Sequence, residues 1–222
     1  MTMILYHCVS ARSFRPLWML EELGLAYELK MLPFPPRQFD RSFFEINPLG
    51  TVPAFADDGV AMTESSAICQ YLAARYSPTA LNVDVNEPGF AGYLNYLHFG
   101  EATLTFPQTL VLRYSRFESP DRLQPQVAED YSRWFLSRLR TLEPLLEQQE
   151  YLCAGRFTAA DVSVGYALFL AEFLGLSTSF TPSVVAYWKQ LRARPAFQNA
   201  LQAEQRAALE QGISPLAAPA AS

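Results

Sequence analysis

Few residues in this chain combine the types and spacing that chemistry needs. The three cysteines, Cys8, Cys69 and Cys153, are odd in number, far apart and outside any C-x-x-C pair. They read as reduced thiols in a reducing compartment and exclude a dithiol redox centre. His7 and His98 are the only two histidines, distant from each other and from any cysteine pair, which gives no metal spacing. Asp161 in "FTAADVSVGYALF" has the look of a buried acid, yet Thr158 three residues earlier completes a capping box and Phe157 can staple onto Val162, so a structural role accounts for it. The unusual stretch is "NPLGTVPAF", Asn47 to Phe55. Pro53 has no N–H for a ladder but stands where the chain enters a strand, and X–Pro is the linkage whose cis form lies within about 0.5–1 kcal/mol of trans. Either Pro53 simply starts an edge strand, or a cis Val52–Pro53 turn exposes backbone that has work to do.

The elements that must position these residues can be read from periodicity. "MILYHC" is a short apolar strand, and over 13–23 the residues Phe14, Leu17, Trp18, Leu20 and Leu23 recur at helical spacing, with Pro16 near the start and Gly24 just past the end. "AYELKML" alternates as a second strand, "PFPPRQFD" reads as an irregular link, and a short helix is expected over 39–46. Strands at 53–56 and 60–63 flank Asp57-Asp58-Gly59, a hairpin signal, and a helix follows over 65–76. The order β-α-β-α-β-β-α predicts a mixed four-stranded sheet. Beyond residue 88 strand alternation disappears. Helices are predicted over 90–114, 127–148, 158–174, 182–192 and 195–210, the third of these apolar nearly all round and so buried. The fold class is α/β plus all-α, with domains 1–78 and 88–212 and a frayed tail over 213–222.

Composition excludes several classes. With 50% hydrophobic residues, 18% charged and a net charge of -5, the chain can bury a large core but lacks the basic surface that nucleic acid needs or that an anionic membrane would attract. The N-terminus carries no basic segment ahead of an apolar run, and 173–188 is too polar to span a bilayer. A cytoplasmic protein is expected.

The pairing of "NPLGTVPAF" with "MTESSAICQYLAARY" after an N-terminal β-α-β, followed by "FTAADVSVGYALF" in a helical domain, resembles the glutathione transferases over nearly the whole chain. The opening "SARSFRPLWMLEELGLAYEL" is most similar to a bacterial and fungal subgroup with a Ser-Arg-Ser/Ala-x-Arg start. The resemblance implies a thioredoxin-like first domain that binds glutathione as co-substrate. A cis Val52–Pro53 turn would then offer the Val52 N–H and C=O to the cysteinyl backbone, as in strand addition. Glu64 would receive the γ-glutamyl ammonium. Ser65 would cap the next helix, with its N–H facing the γ-glutamyl carboxylate at the helix N-terminus. Thr51 replaces the Lys or Gln of many relatives, so Arg37 or Gln38 is expected to contact the glycyl carboxylate.

The same resemblance places the thiol-activating group in "CVSARS". A free thiol has a pKa of about 8.5, lowered by positive charge or a helix N-terminus. Matching Arg15 to the family's arginine puts Ser10 on the catalytic serine. Arg12 is an electrostatic alternative, Ser13 is a second hydroxyl or only a cap, and Cys8 is a nucleophile on the thiol-reductase reading. Tyr93, Leu97, Phe106 and Tyr114 are the expected walls of an electrophile pocket, with His98 and Glu101 as packing residues. The resemblance also implies a two-fold homodimer. The function expected is conjugation of glutathione to a small hydrophobic electrophile. A glutathione-dependent isomerase or thiol reductase, and a non-catalytic binding scaffold, are the rivals.

Overall fold

The computed structural model describes residues 3–77 and 80–217, and its sheet is ordered β2-β1-β3-β4. β1 (Met3–His7) pairs in parallel with β2 (Tyr27–Met31), from Met3 opposite Tyr27 to His7 opposite Met31. β3 (Ala54–Asp57) runs antiparallel to β1, with Leu5 opposite Phe55, and turns back into β4 (Val60–Met62). Asp58 and Gly59 both have positive φ, at 43° and 84°, the geometry that closes a two-residue hairpin and the reason Asp-Gly signals one. The crossover helix α1 (Phe14–Leu23) buries Phe14, Leu17, Trp18 and Leu20, and it ends at Gly24 as the sequence predicts. α3 (Ser65–Tyr76) buries Ile68, Cys69 and Leu72. This is the expected mixed sheet.

The link "PFPPRQFD" is more regular than expected. Pro36–Phe39 forms one helical turn, α2, with Pro36 at the first position, where a missing N–H is harmless because that group has no intrahelical acceptor. A 3-10 turn over Arg41–Glu45 follows, with the Asp40 side chain accepting from the Ser42 N–H at 3.1 Å.

Contacts divide the chain into two units, residues 3–77 with 193–217 and residues 80–192. α10 (Pro195–Glu210) therefore groups with the sheet, where the sequence reading put it in the helical domain. Its stripe of Phe197, Ala200, Ala203, Ala207 and Ala208 is buried. Phe197 meets Phe14 and Trp18 edge-on, at 5.4 and 4.9 Å between centroids, and Ala207 and Ala208 cluster with Val9 and Met31. Gln211 then extends the β2 edge, accepting from the Met31 N–H and donating to the Leu29 carbonyl at 2.8 Å each. Periodicity reveals that a helix has an apolar face, but not which surface covers it. Ile213, expected in the frayed tail, packs against this cluster and donates its N–H to the Ala208 carbonyl at 2.8 Å. Residues 218–222 of that tail, and residues 1, 2 and 78 of the first expected domain, lie outside the described residues.

The unit of residues 80–192 is helical. α4 (Phe90–His98) runs through a widened π-turn, Phe99–Thr105, into α5 (Phe106–Leu112) and a second π-turn, Arg113–Phe117. The helix predicted over 127–148 is shorter, α6 (Pro125–Leu139), and a 3-10 turn separates it from α7 (Glu143–Leu146). Pro144 explains the break, since it removes a helical donor. α8 (Ala159–Phe173) lies in the core with the expected capping box, and α9 (Pro182–Arg192) packs nearby. A Cβ on Gly100 would stand 2.5 Å from the Ser163 backbone, so only glycine admits this approach, and the Ser163 hydroxyl donates to the Leu97 carbonyl at 2.7 Å. Asp161 is fully buried and accepts from the Leu152 and Thr158 N–H groups and the Tyr187 hydroxyl, at 3.1, 2.8 and 2.8 Å. It is a structural acid. Among the described residues, no helix is long and apolar enough to cross a membrane.

Candidate functional site

The turn before β3 is built by Asn47, which is 1% exposed. Its Oδ1 accepts from the Leu49 N–H at 3.0 Å, its carbonyl accepts from the Gly50 N–H at 2.8 Å, and its Nδ2 donates to the Thr51 carbonyl at 2.7 Å. Gly50 sits at φ 60°, and a Cβ there would lie 2.8 Å from the Phe44 ring and 2.9 Å from the Arg37 Cβ. Left-handed backbone and lack of space both require glycine. The Val52–Pro53 bond is cis. The β1–β3 ladder begins only at Ala54, so Val52 precedes the sheet pairing, while its side chain packs with Cys8, Leu32 and Phe43. Thr51, Arg37 and Gln38 are exposed around this turn. Asn47 builds this turn, and Asn before Pro is its sequence signal, because its side chain mimics a backbone bend.

At the end of the hairpin the chain enters α3. The N-cap is Glu64, exposed and making no side-chain cap bond. Ser65 is the first helical residue, which corrects its expected role as the cap. It is buried, and its Oγ accepts from Arg15 Nη1 at 3.1 Å. A helix N-terminus without a side-chain cap, next to a buried guanidinium, favours an anion.

The loop between β1 and α1 carries the other candidates. Ser10 is half-buried at φ 56°, left-handed backbone that is uncommon outside glycine. Its N–H donates to Glu204 Oε2 at 2.9 Å, and its hydroxyl lies 3.4 Å from Glu204 Oε1. Arg12 is half-buried in the same loop. Ser13 occupies the N-cap position of α1 without capping it. Its hydroxyl is fully buried and lies 2.7 Å from His7 Nδ1, so it is not exposed to a ligand. Cys8 is also fully buried, lies 3.6 Å from the Pro33 carbonyl through Sγ, and has its thiol pushed up by burial. That is the opposite of what a nucleophile needs. Tyr6 packs on Phe43.

Sequence reasoning passed over His7 and Glu204. His7 follows Met3 and Leu5 on the buried register of β1, and a polar group there must find a partner. Glu204 stands at helical spacing among Ala200, Ala207 and Ala208, an acid inside an apolar stripe. That was its signal.

Known proteins resemble this chain in sequence and in fold. The family described as "Glutathione S-transferase, N-terminal domain" matches residues 9–75. Glutathione S-transferase 3 of Schizosaccharomyces pombe is 29% identical over 203 residues, covering 87% of this chain and 84% of the relative. The crystal structure of a glutathione transferase from Methylococcus capsulatus matches with a TM-score of 0.78 at 28% identity, over 91% of this chain and 98% of that one. The glutathione transferase URE2P5 of Phanerochaete chrysosporium matches with a TM-score of 0.83 at 24% identity, over 95% and 98%. Residues 9–75 thus resemble the N-terminal domain of the glutathione S-transferases. URE2P5 has also been cocrystallised with 1-(S-glutathionyl)-2,4-dinitrobenzene.

The sheet unit has the thioredoxin-like architecture of that family's N-terminal domain. The four expected pocket residues do not share a face of their helix. Tyr93 and Leu97 are fully buried, which corrects their assignment to an open pocket, because the same helical stripe continues through Leu104 into the core. Phe106 is 52% exposed, and Tyr114 is half-buried with the Arg113 guanidinium 5.4 Å above its ring. His98, expected as a packing residue, is exposed and lines an open depression of about 370 Å³ with Leu94, Phe99 and Ala102.

Proposed function

We propose that this protein activates the thiol of glutathione and transfers the tripeptide to an apolar electrophile. Val52 pairs through its backbone with the cysteinyl unit, next to Pro53. Glu64 takes the γ-glutamyl ammonium, and the N–H groups at the start of α3, beginning with Ser65, take its carboxylate. Arg37, whose Cβ borders Gly50, supplies the cation for the glycyl carboxylate that Thr51 cannot, with Gln38 beside it. Ser10 donates its hydroxyl to the sulfur, and the Arg12 charge assists. Stabilised in this way, the thiolate persists below the ordinary thiol pKa of about 8.5, attacks the electrophilic carbon and forms a thioether as the leaving group departs with its electron pair. Phe106 and Tyr114 supply aromatic surface suited to such a substrate.

The observation that carries this reading is the start of α3, where the Glu64 side chain makes no cap bond and buried Arg15 donates to Ser65. A homodimer is part of the proposal. Phe39, Phe44, Ile46 and Leu49 are 66, 40, 52 and 60% exposed within one short segment, a patch that calls for a partner.

The test is turnover of reduced glutathione with 1-chloro-2,4-dinitrobenzene, following both thioether formation and glutathione consumed. One thioether formed for each glutathione lost supports the transferase. Binding of glutathione without thioether formation above the uncatalysed rate favours the scaffold.

A further inference from the structure

Glu204 is 1% exposed and gathers three donors from a loop far from it in sequence. His7 Nε2 and the Ser10 N–H reach Oε2 at 2.8 and 2.9 Å, and the Ser10 hydroxyl lies 3.4 Å from Oε1. A carboxylate oxygen accepts, so His7 Nε2 donates to it, and Nδ1 lies 2.7 Å from the Ser13 hydroxyl. Ser13 Oγ in turn accepts from the Cys8 N–H at 3.4 Å. Glu204 thus ties the end of β1 at His7 to the loop residue Ser10.

We propose that Glu204 is a positioning residue for thiol activation, holding Ser10 by its backbone N–H in the left-handed conformation from which its one hydroxyl proton turns from the long 3.4 Å contact with Glu204 Oε1 to the sulfur. The inference rests on the function proposed above. Ser10 would otherwise leave an unfavourable backbone region, since left-handed φ is strained for a residue other than glycine. The negative charge of Glu204 is not the useful property. A carboxylate beside a thiolate opposes it, and here that charge is shared with the His7 Nε2–H. The useful property is reach.

Two variants of the full chain separate reach from charge. Glu204→Asp keeps the charge and withdraws it by one methylene; Glu204→Gln keeps the reach and an acceptor oxygen. Reduced glutathione is the probe, with its affinity measured by calorimetry and its bound thiolate followed by ultraviolet absorbance across pH. Glu204→Asp is expected to bind glutathione within about threefold of wild type, well under 1.4 kcal/mol. Its bound-thiol pKa should rise by about one unit, a tenfold smaller thiolate fraction below the pKa. Glu204→Gln should keep the wild-type value. The proposal is overturned if Glu204→Asp titrates as wild type does, or if Glu204→Gln loses the shift. A wild type that binds glutathione without lowering its thiol pKa removes the proposed function and this inference together, a pattern distinct from failure of the variants alone. Hydrogen exchange at the Ser10 amide gives a check that needs no folded Asp variant. Slow exchange in both wild type and Glu204→Gln supports the clamp, and fast exchange in either contradicts it.

Discussion

Asn47 holds the Thr51 carbonyl through Nδ2 at 2.7 Å, so the residue just before Val52 is fixed by a side chain four positions earlier. The Asn47→Ala variant removes that donor and the Oδ1 that accepts from Leu49. Deleting hydrogen bonds at a buried site costs about 1–3 kcal/mol, which urea denaturation would register. Because the turn presents Val52, glutathione affinity should fall together with stability. A stable variant with unchanged affinity would separate the turn from ligand binding.

The sheet, its order and most helices were legible in the sequence because each rests on local signals. Asp58-Gly59 has the backbone of a tight hairpin, and Thr158 with Asp161 forms a full capping box. The candidate site was legible only in part. Asn47-Pro48 and Glu64-Ser65 lie in short stretches whose spacing carries meaning, whereas Glu204 reaches His7 across 197 positions, a distance over which periodicity says nothing. The same lack of long-range information hid the packing of α10 on α1. The burial of Tyr93 and Leu97 was hidden for a different reason. Aromatic content says nothing about which side of a helix faces the core.

That distinction can be tested in the helical unit. Leu97→Ala empties a fully buried position and should cost about 2–5 kcal/mol, visible as a lower thermal midpoint. Phe106→Ala, at a 52% exposed position, should change stability by less than about 0.5 kcal/mol while raising KM for an aromatic electrophile and leaving KM for glutathione unchanged. Equal stability losses in the two variants would contradict this division of roles.

Asp161 makes stability depend on pH in a definite direction. Burial, opposed by its several donors, pushes its carboxyl up to about 6 from 3.8, so the folded chain holds this proton more tightly than the unfolded one. Its contribution is complete below the unfolded value and is lost as pH rises through about 6, a change on the order of 3 kcal/mol. Denaturation of wild type and Asp161→Asn at several pH values between 3 and 8 should show the gap in stability between them changing by that amount in the wild type's disfavour. A gap independent of pH would contradict it.

The exposed apolar segment predicts an oligomer that charge can break. Placing a carboxylate in the patch with Ile46→Asp should convert a dimer to monomer in light scattering at micromolar concentration, with the monomer still folded by circular dichroism. A wild type that is already monomeric would contradict the dimer.

The central claim is that this chain lowers the thiol pKa of bound glutathione through the loop at Ser10. Ultraviolet thiolate absorbance, titrated across pH for wild type and Ser10→Ala saturated with glutathione, tests it directly. The account predicts a bound-thiol pKa clearly below the free value of about 8.5 in wild type, and its return toward that value in the variant with binding retained. A wild type that binds glutathione and leaves its pKa unmoved would contradict the account, while a shift that survives in Ser10→Ala would move the role from the hydroxyl to Arg12.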